Sequence, residues 1–125
     1  MKPDTRRATG AAGETEVAAH LEALGYTIEA RNWHCRTGEL DLVALKDDLI
    51  VFVEVRSVTT DFLESPVNTI LYPKQIRVGR AADAYLSARG RWPDRIRFDV
   101  AGVCWREGRA QIDYHENAFV PSGAF

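Results

Sequence analysis

The sequence predicts a single-domain α/β protein with its elements in the order αβββαββ. Three observations carry that expectation. One segment with helical spacing of apolar residues opens the chain and a second helical stretch stands between strands. Two adjacent runs, Glu39 to Lys46 and Leu49 to Arg56, alternate or carry β-branched residues on either side of an acidic turn. The 125 residues, 46% hydrophobic and 27% charged, match an ordinary globular composition and suffice for one core burying roughly two-thirds of the unfolded surface.

Residues 1–9 are polar and charged and are expected to form a disordered tail, with the folded domain running over 10–125. The first helix is expected from Thr9 or Gly10 to about Leu24. Val17, Leu21 and Leu24 recur at i, i+4 and i+7, Gly25 suits the residue that ends the helix, and Glu14 falls in the first turns, where a carboxylate suits the dipole. Tyr26 to Trp33 reads as a strand closed by an Arg36-Thr37-Gly38 turn. The two alternating runs then form a hairpin about Asp47-Asp48. Asp61 to Leu71 is less regular, with Pro66 opening a short helical turn. Pro73 is expected at the first position of a longer helix that ends near Ala88 and is closed by Gly90. Ile96, Phe98 and Val100 alternate along a strand from Arg95 to Trp105, and a Glu107-Gly108 turn leads to a last strand from Ala110 to His115.

A formal net charge of −2 argues against non-specific coating of nucleic acid, which scales with phosphates neutralised, but leaves room for a local basic groove. The apolar run from Leu49 to Val53 is far too short for a membrane span, and MKPDTRRATG lacks the apolar core of a signal peptide. A cytoplasmic protein without a membrane partner is expected, with Cys35 and Cys104 as reduced thiols, since the two lie far apart and outside any CxxC pattern. The basic residues are Lys2, Lys46, Lys74 and otherwise arginines, whose planar fork suits phosphate or carboxylate.

The hairpin is where chemistry first suggests itself. If Asp47 and Asp48 form the turn, Lys46 pairs with Leu49, and counting back sets Asp41 opposite Glu54 and Glu39 opposite Arg56. Alternation then gathers these four on one face and sends Val51, Val53 and Val55 to the other. Opposed residues have Cβ atoms about 4.5 to 5.5 Å apart, where like charges repel unless a cation lies between them. Two convergent carboxylates with waters are a usual ligand set for Mg²⁺, which can activate water and stabilise an in-line phosphoryl displacement. Ion pairs with Arg56, Arg31 or Arg36 on a solvated sheet face account for the same pattern, and spacing alone leaves both open.

The segment GELDLVALKDDLIVFVEVRS resembles the nuclease signature PD-(D/E)XK, with Asp41 as its aspartate, Glu54 as its acid and Arg56 where many members carry lysine. GETEVAAHLEALGY at 13–26, ARNWHCRTGELDL at 30–42, VFVEVRS at 51–57, SPVNTILYPKQIRV at 65–78, RFDV at 97–100 and NAF at 117–119 narrow the resemblance to the YraN family of bacterial proteins. That resemblance implies a restriction-endonuclease-like fold, a mixed sheet flanked by helices, similar to Holliday-junction resolvases. It implies Asp41 and Glu54 as ligands of Mg²⁺ or Mn²⁺, Glu39 as a supporting acid and Glu14 as a helix acid completing the site. Arg56 stays protonated, so it could stabilise negative charge but not serve as a base.

Lys74, Arg77 and Arg80 recur at i, i+3 and i+6 and, with Arg36, are the candidates for gripping phosphates; a solvated helix face is the competing account. Lys74 could also bring an ammonium group to the acids from another direction. Arg89, Arg91, Arg95 and Arg97 form a second basic stretch around Trp92. His20, His34 and His115 have no ligand spacing, and Trp33, Trp105 and Phe119 read as packing residues. The expected function is that of a metal-dependent nuclease or nuclease-like protein acting on DNA, with branched DNA among its substrates. A homodimer would let two sites cut both strands of a duplex. The alternatives are a nucleic-acid-binding module without catalysis and a protein-interaction domain.

Overall fold

The structure, a computed structural model, describes the backbone of residues 5–58 and 65–121, and the side chains of these apart from 5–9 and 58. The elements are α1 (Thr5–Ala23), β1 (Thr27–Cys35), β2 (Gly38–Lys46), β3 (Leu49–Val58), a single 3₁₀ turn (Pro66–Thr69), α2 (Tyr72–Arg89), β4 (Arg95–Arg106) and β5 (Arg109–His115). The strands form one sheet in the order β1-β2-β3-β4-β5. All neighbours are antiparallel except β3 and β4, so the sheet is mixed and α2 lies in the connection that returns the chain to a parallel strand.

Strand alternation assigns the helices to opposite faces. Leu49, Val51 and Val53 pack with Val17, Ala18 and Leu21 of α1. Ile50 and Phe52 pack with Val78, Ala82 and Leu86 of α2. Both faces of the central strand are therefore core, so the strand face on which alternation sets Glu54 also carries the apolar Ile50 and Phe52. Trp33 and Phe119 join the α2-side core, Trp33 edge-on to Tyr85 with ring centroids 5.3 Å apart.

The expected boundaries hold for most elements, with two corrections at the N-terminus. Helix α1 begins at Thr5, so the backbone of 5–9 is helical instead of a tail, and the rest of the expected tail, residues 1–4, lies outside the described residues. Glu14 is therefore in mid-helix, away from the first turn. Gly25 ends α1 at φ 97°, a left-handed geometry that glycine adopts without strain. Lys46 Nζ donates to the Leu24 carbonyl at 2.8 Å, satisfying an otherwise orphaned acceptor. Pro66 opens the short turn as expected; residues 61–64 of that segment lie outside the described residues. Gly90 closes α2 at φ 82°.

Two close approaches fix the helices on the sheet. A Cβ built on Gly13 would stand 1.9 Å from Ser57 Oγ, so α1 reaches β3 where it has no side chain. A Cβ on Gly38 would stand 3.2 Å from the Arg77 carbonyl, so the β1–β2 turn lies against the backbone of α2. Two arginines of the second basic stretch are engaged within the fold, while Arg91 and Arg95 are exposed. Arg89 Nε pairs with Glu29 at 2.7 Å, and Arg97 binds the fully buried Asp99 through Nε at 2.8 Å and Nη2 at 2.9 Å. Tyr114 and the amide of Asn117 also donate to Asp99, so those arginines serve folding.

Candidate active site

The two-residue turn sets Lys46 opposite Leu49, and the paired ladder of β2 and β3 runs from there to Leu42 opposite Val53. Asp41 and Glu54 are the next step, where the backbone pairing ends. Along β2, Leu42 and Ala44 pack toward α1, whereas Leu40 and Val43 pack toward α2, so the alternation slips by one residue at Asp41. The Asp41 carboxylate fills the gap: its Oδ2 accepts the Val55 amide at 2.9 Å, taking over an amide that would otherwise seek a strand carbonyl.

Glu54 is only 2% exposed. Its Oε1 lies 3.5 Å from Lys74 Nζ, and its Oε2 is buried without a hydrogen-bond partner among the described residues. Burial first, and the Asp41 charge second, push its pKa from 4.5 up to about 8 against the opposing pull of Lys74. Burial likewise raises the pKa of Asp41, while the Val55 amide and Lys74 oppose the rise. Lys74 thus stands beside the buried acid and pairs with it as an ion whenever Glu54 is deprotonated, and is not simply part of a solvated helix face. The only sequence signal for it was a lysine in the first turn of a helix within an arginine-rich chain.

The other candidates are more scattered. Glu39 pairs with His34, Nδ1 to Oε2 at 3.2 Å, and stands opposite it in the β1–β2 ladder, so the expected partnership with Arg56 gives way to the β1 neighbour once the β2–β3 ladder ends. Arg56 turns to the 3₁₀ segment, where its Nε donates to Thr69 Oγ1 at 3.0 Å and that hydroxyl donates to the Pro66 carbonyl at 2.6 Å. Glu14 accepts from Asn32 Nδ2 at 2.8 Å. Its pKa is raised by burial, an effect that the Asn32 bond opposes and the charges of Asp41 and Glu39 reinforce. No local pattern pointed to Asn32, which sits at φ 48°, a conformation asparagine tolerates better than most residues.

Among the described residues, no group of three or more His, Cys, Asp or Glu side chains is arranged to hold a metal. The acidic side chains that the strand register brings together at this point are the Asp41 and Glu54 carboxylates. The Glu54 oxygen that has no hydrogen-bond partner among the described residues, buried beside a second acid, fits a divalent ion once the carboxyl has lost its proton, because a carboxylate oxygen without a donor is what a cation satisfies.

Beside the acids, the β1–β2 turn and α2 enclose an open groove of about 430 Å³. Arg36, Lys74 and Arg77 line it together with Glu39, so three of the four basic candidates share one surface and Lys74 joins that surface to the acids. Arg80 is exposed and is not part of the lining. Cys35, also in the lining, is a free thiol. Burial raises its pKa, but hydrogen bonds from the Thr37 hydroxyl and the Thr37 and Gly38 amides outweigh that and lower it overall. Cys104 is free as well and buried. Among the described residues no helix is long and apolar enough to cross a membrane.

Comparison with known proteins identifies the lineage. The profile of the uncharacterised protein family UPF0102 matches residues 13–103. A UPF0102 protein of Myxococcus xanthus is 44% identical over 117 residues, 94% of this chain and 93% of its own. Relatives from Chloroflexus aurantiacus and Bifidobacterium longum are 46% and 42% identical, covering 90% and 92% of this chain and 91% and 95% of their own lengths. With the profile spanning most of the chain and full-length relatives at this identity, the chain belongs to the UPF0102 family, also called the YraN family.

Proposed function

We propose that this protein is a divalent-metal-dependent phosphodiesterase acting on DNA, with Asp41 and Glu54 holding Mg²⁺ or Mn²⁺. The observation that carries the reading is the buried Glu54 carboxylate, one oxygen without a hydrogen-bond partner among the described residues, beside the Asp41 carboxylate. Keeping two acids together in a desolvated place is unfavourable for folding, and such arrangements concentrate at functional sites. A bound divalent ion would supply charge neutralisation and an activated water there. The groove lined by Arg36, Lys74 and Arg77 supplies phosphate contacts that position a strand without reading its bases. The mixed sheet and element order are compatible with the restriction-endonuclease-like fold that the signature implies, and branched DNA is the first substrate to try on that account.

The test begins before any substrate is known. A ligand in hundredfold excess over its Kd stabilises the folded state by about 2.7 kcal/mol, roughly 10 °C in melting temperature for a domain of this size. Mn²⁺ should raise the melting temperature of the wild type by that order and leave Asp41→Asn unmoved, and Asp41→Asn should cleave neither duplex nor four-way-junction DNA. A wild type indifferent to Mn²⁺, with Asp41→Asn melting lower, would make the acids a structural cluster and sink the reading.

A second reading, a nucleic-acid-binding module without cleavage, has one observation in its favour: the Arg56 guanidinium is engaged by Thr69 at the position where the signature carries lysine. DNA binding that survives chelation, with no product from any DNA form, would establish it in place of the first.

A further inference from the structure

We propose that Lys74, reaching in from α2, is the catalytic cation of this site, contacting the reacting phosphoryl group in the role that the sequence pattern assigns to position 56. The inference rests on the phosphodiesterase reading above and names the residue that completes it. Three observations support it independently of one another.

The first is geometric. Lys74 Nζ stands 3.5 Å from Glu54 Oε1, whereas Arg56 is exposed and directs its Nε to Thr69. The second is a local cost that helix formation does not explain. Lys74 falls in the first turn of α2, where the dipole's positive end disfavours a cation, typically by about 0.3–1 kcal/mol. No acidic residue occupies that turn to offset it. What holds the lysine there is the buried carboxylate. The third is access: Lys74 is 30% exposed and lines the groove shared with Arg36 and Arg77. A phosphodiester lying in that groove meets the ammonium group before it reaches the acids, and Glu54 is too buried to meet it directly.

In the step this implies, a water oxygen bonds to phosphorus as the bond from phosphorus to the departing sugar oxygen breaks. The products are a phosphomonoester and an alcohol. The water gives up its proton to solvent and the departing oxygen collects one from solvent. Lys74 remains an ammonium throughout, donating to a non-bridging phosphoryl oxygen on which negative charge accumulates. A flexible, compact ammonium suits this better than a guanidinium already engaged in a fixed fork.

The experiment compares wild type, Lys74→Met and Arg56→Met for cleavage of supercoiled plasmid and four-way-junction DNA with Mn²⁺, and measures each melting temperature with and without Mn²⁺. Lys74→Met is expected to fold, to keep its Mn²⁺-induced rise, and to lose cleavage by about 100-fold or more, the usual scale for removing one donor to a reacting oxyanion. Arg56→Met is expected to lose less. If the wild type cleaves and Lys74→Met cleaves within a few-fold of it, or if Arg56→Met is the more damaged variant, the assignment of Lys74 is overturned while the phosphodiesterase reading stands. Loss of both cleavage and the Mn²⁺ response in Lys74→Met also overturns it, since the lysine would then hold the acids in place without touching phosphate. A wild type that neither responds to Mn²⁺ nor cleaves removes the underlying reading and this inference with it.

Discussion

Glu54 concentrates the electrostatic tension of the molecule in one side chain. Its pKa is held at about 8 in the folded protein, against 4.5 for the free group. The sign of the effect on stability follows from proton linkage. Between those two values the unfolded chain has released the proton and the folded one retains it, so the metal-free protein loses stability as pH rises from about 5 to 8. The total is on the order of a few kcal/mol, since each pH unit between the two values contributes about 1.4 kcal/mol. Glu54→Gln should therefore melt higher than the wild type at pH 8 without metal and flatten the stability profile between pH 5 and 8. Denaturant titrations at several pH values check this, and a parallel slope in the variant would remove Glu54 as its source. The wild-type gain from Mn²⁺ should be larger at pH 8 than at pH 6, because a metal needs the deprotonated carboxylate.

At the scale of elements, glycine spacing in α1 distinguishes a helix that needs room from one that merely tolerates it. Among the described residues nothing lies within 4 Å of a Cβ built on Gly10, whereas one on Gly13 would run into Ser57. Gly10→Ala should stabilise by about 0.5–1 kcal/mol through helix propensity. Gly13→Ala should destabilise by about 1–2 kcal/mol net, with overpacking against β3 outweighing the same propensity gain. Urea unfolding of the two variants gives opposite signs if α1 seats on β3 as described.

The same elements show what the sequence could reveal. The β2–β3 hairpin was legible because alternation and a two-residue turn fix register locally, and the αL glycines marked the ends of both helices. Asp41 and Glu54 followed from that register. Glu39 and Arg56 were assigned to each other only by extending the ladder past Leu42, where it stops, and no local pattern announces the end of pairing. Lys74 and the Asn32–Glu14 bond were beyond counting altogether, because they depend on how α2 and α1 dock across the sheet. The helix start at Thr5 was missed because polar residues without periodicity resemble a tail.

Across the whole molecule, a net charge of −2 coexists with a groove carrying Arg36, Lys74 and Arg77. Any affinity for DNA should be local and electrostatic. Replacing both Arg36 and Arg77 by Met should weaken binding to all DNA forms alike and make the slope of log affinity against log salt shallower by about two. Filter binding with chelator present, between low and moderate salt, measures it; an unchanged slope would place the DNA path elsewhere on the surface. The Asp99 network and the Glu29 anchor should not enter that slope, since their arginines are already neutralised by buried or half-buried acids.

The parallel pairing of β3 with β4 also determines when the site can exist. Asp41 and Glu54 belong to one hairpin, and such hairpins close within about 1–10 μs. Lys74 arrives only when α2 has packed and the chain has crossed over to lay β4 beside β3, a non-local pairing of the kind that slows folding. The two acids can therefore meet before Lys74 is in place. Lys74 joins the two acids only once that long-range pairing is made, so any chemistry the cluster supports depends on the completed fold.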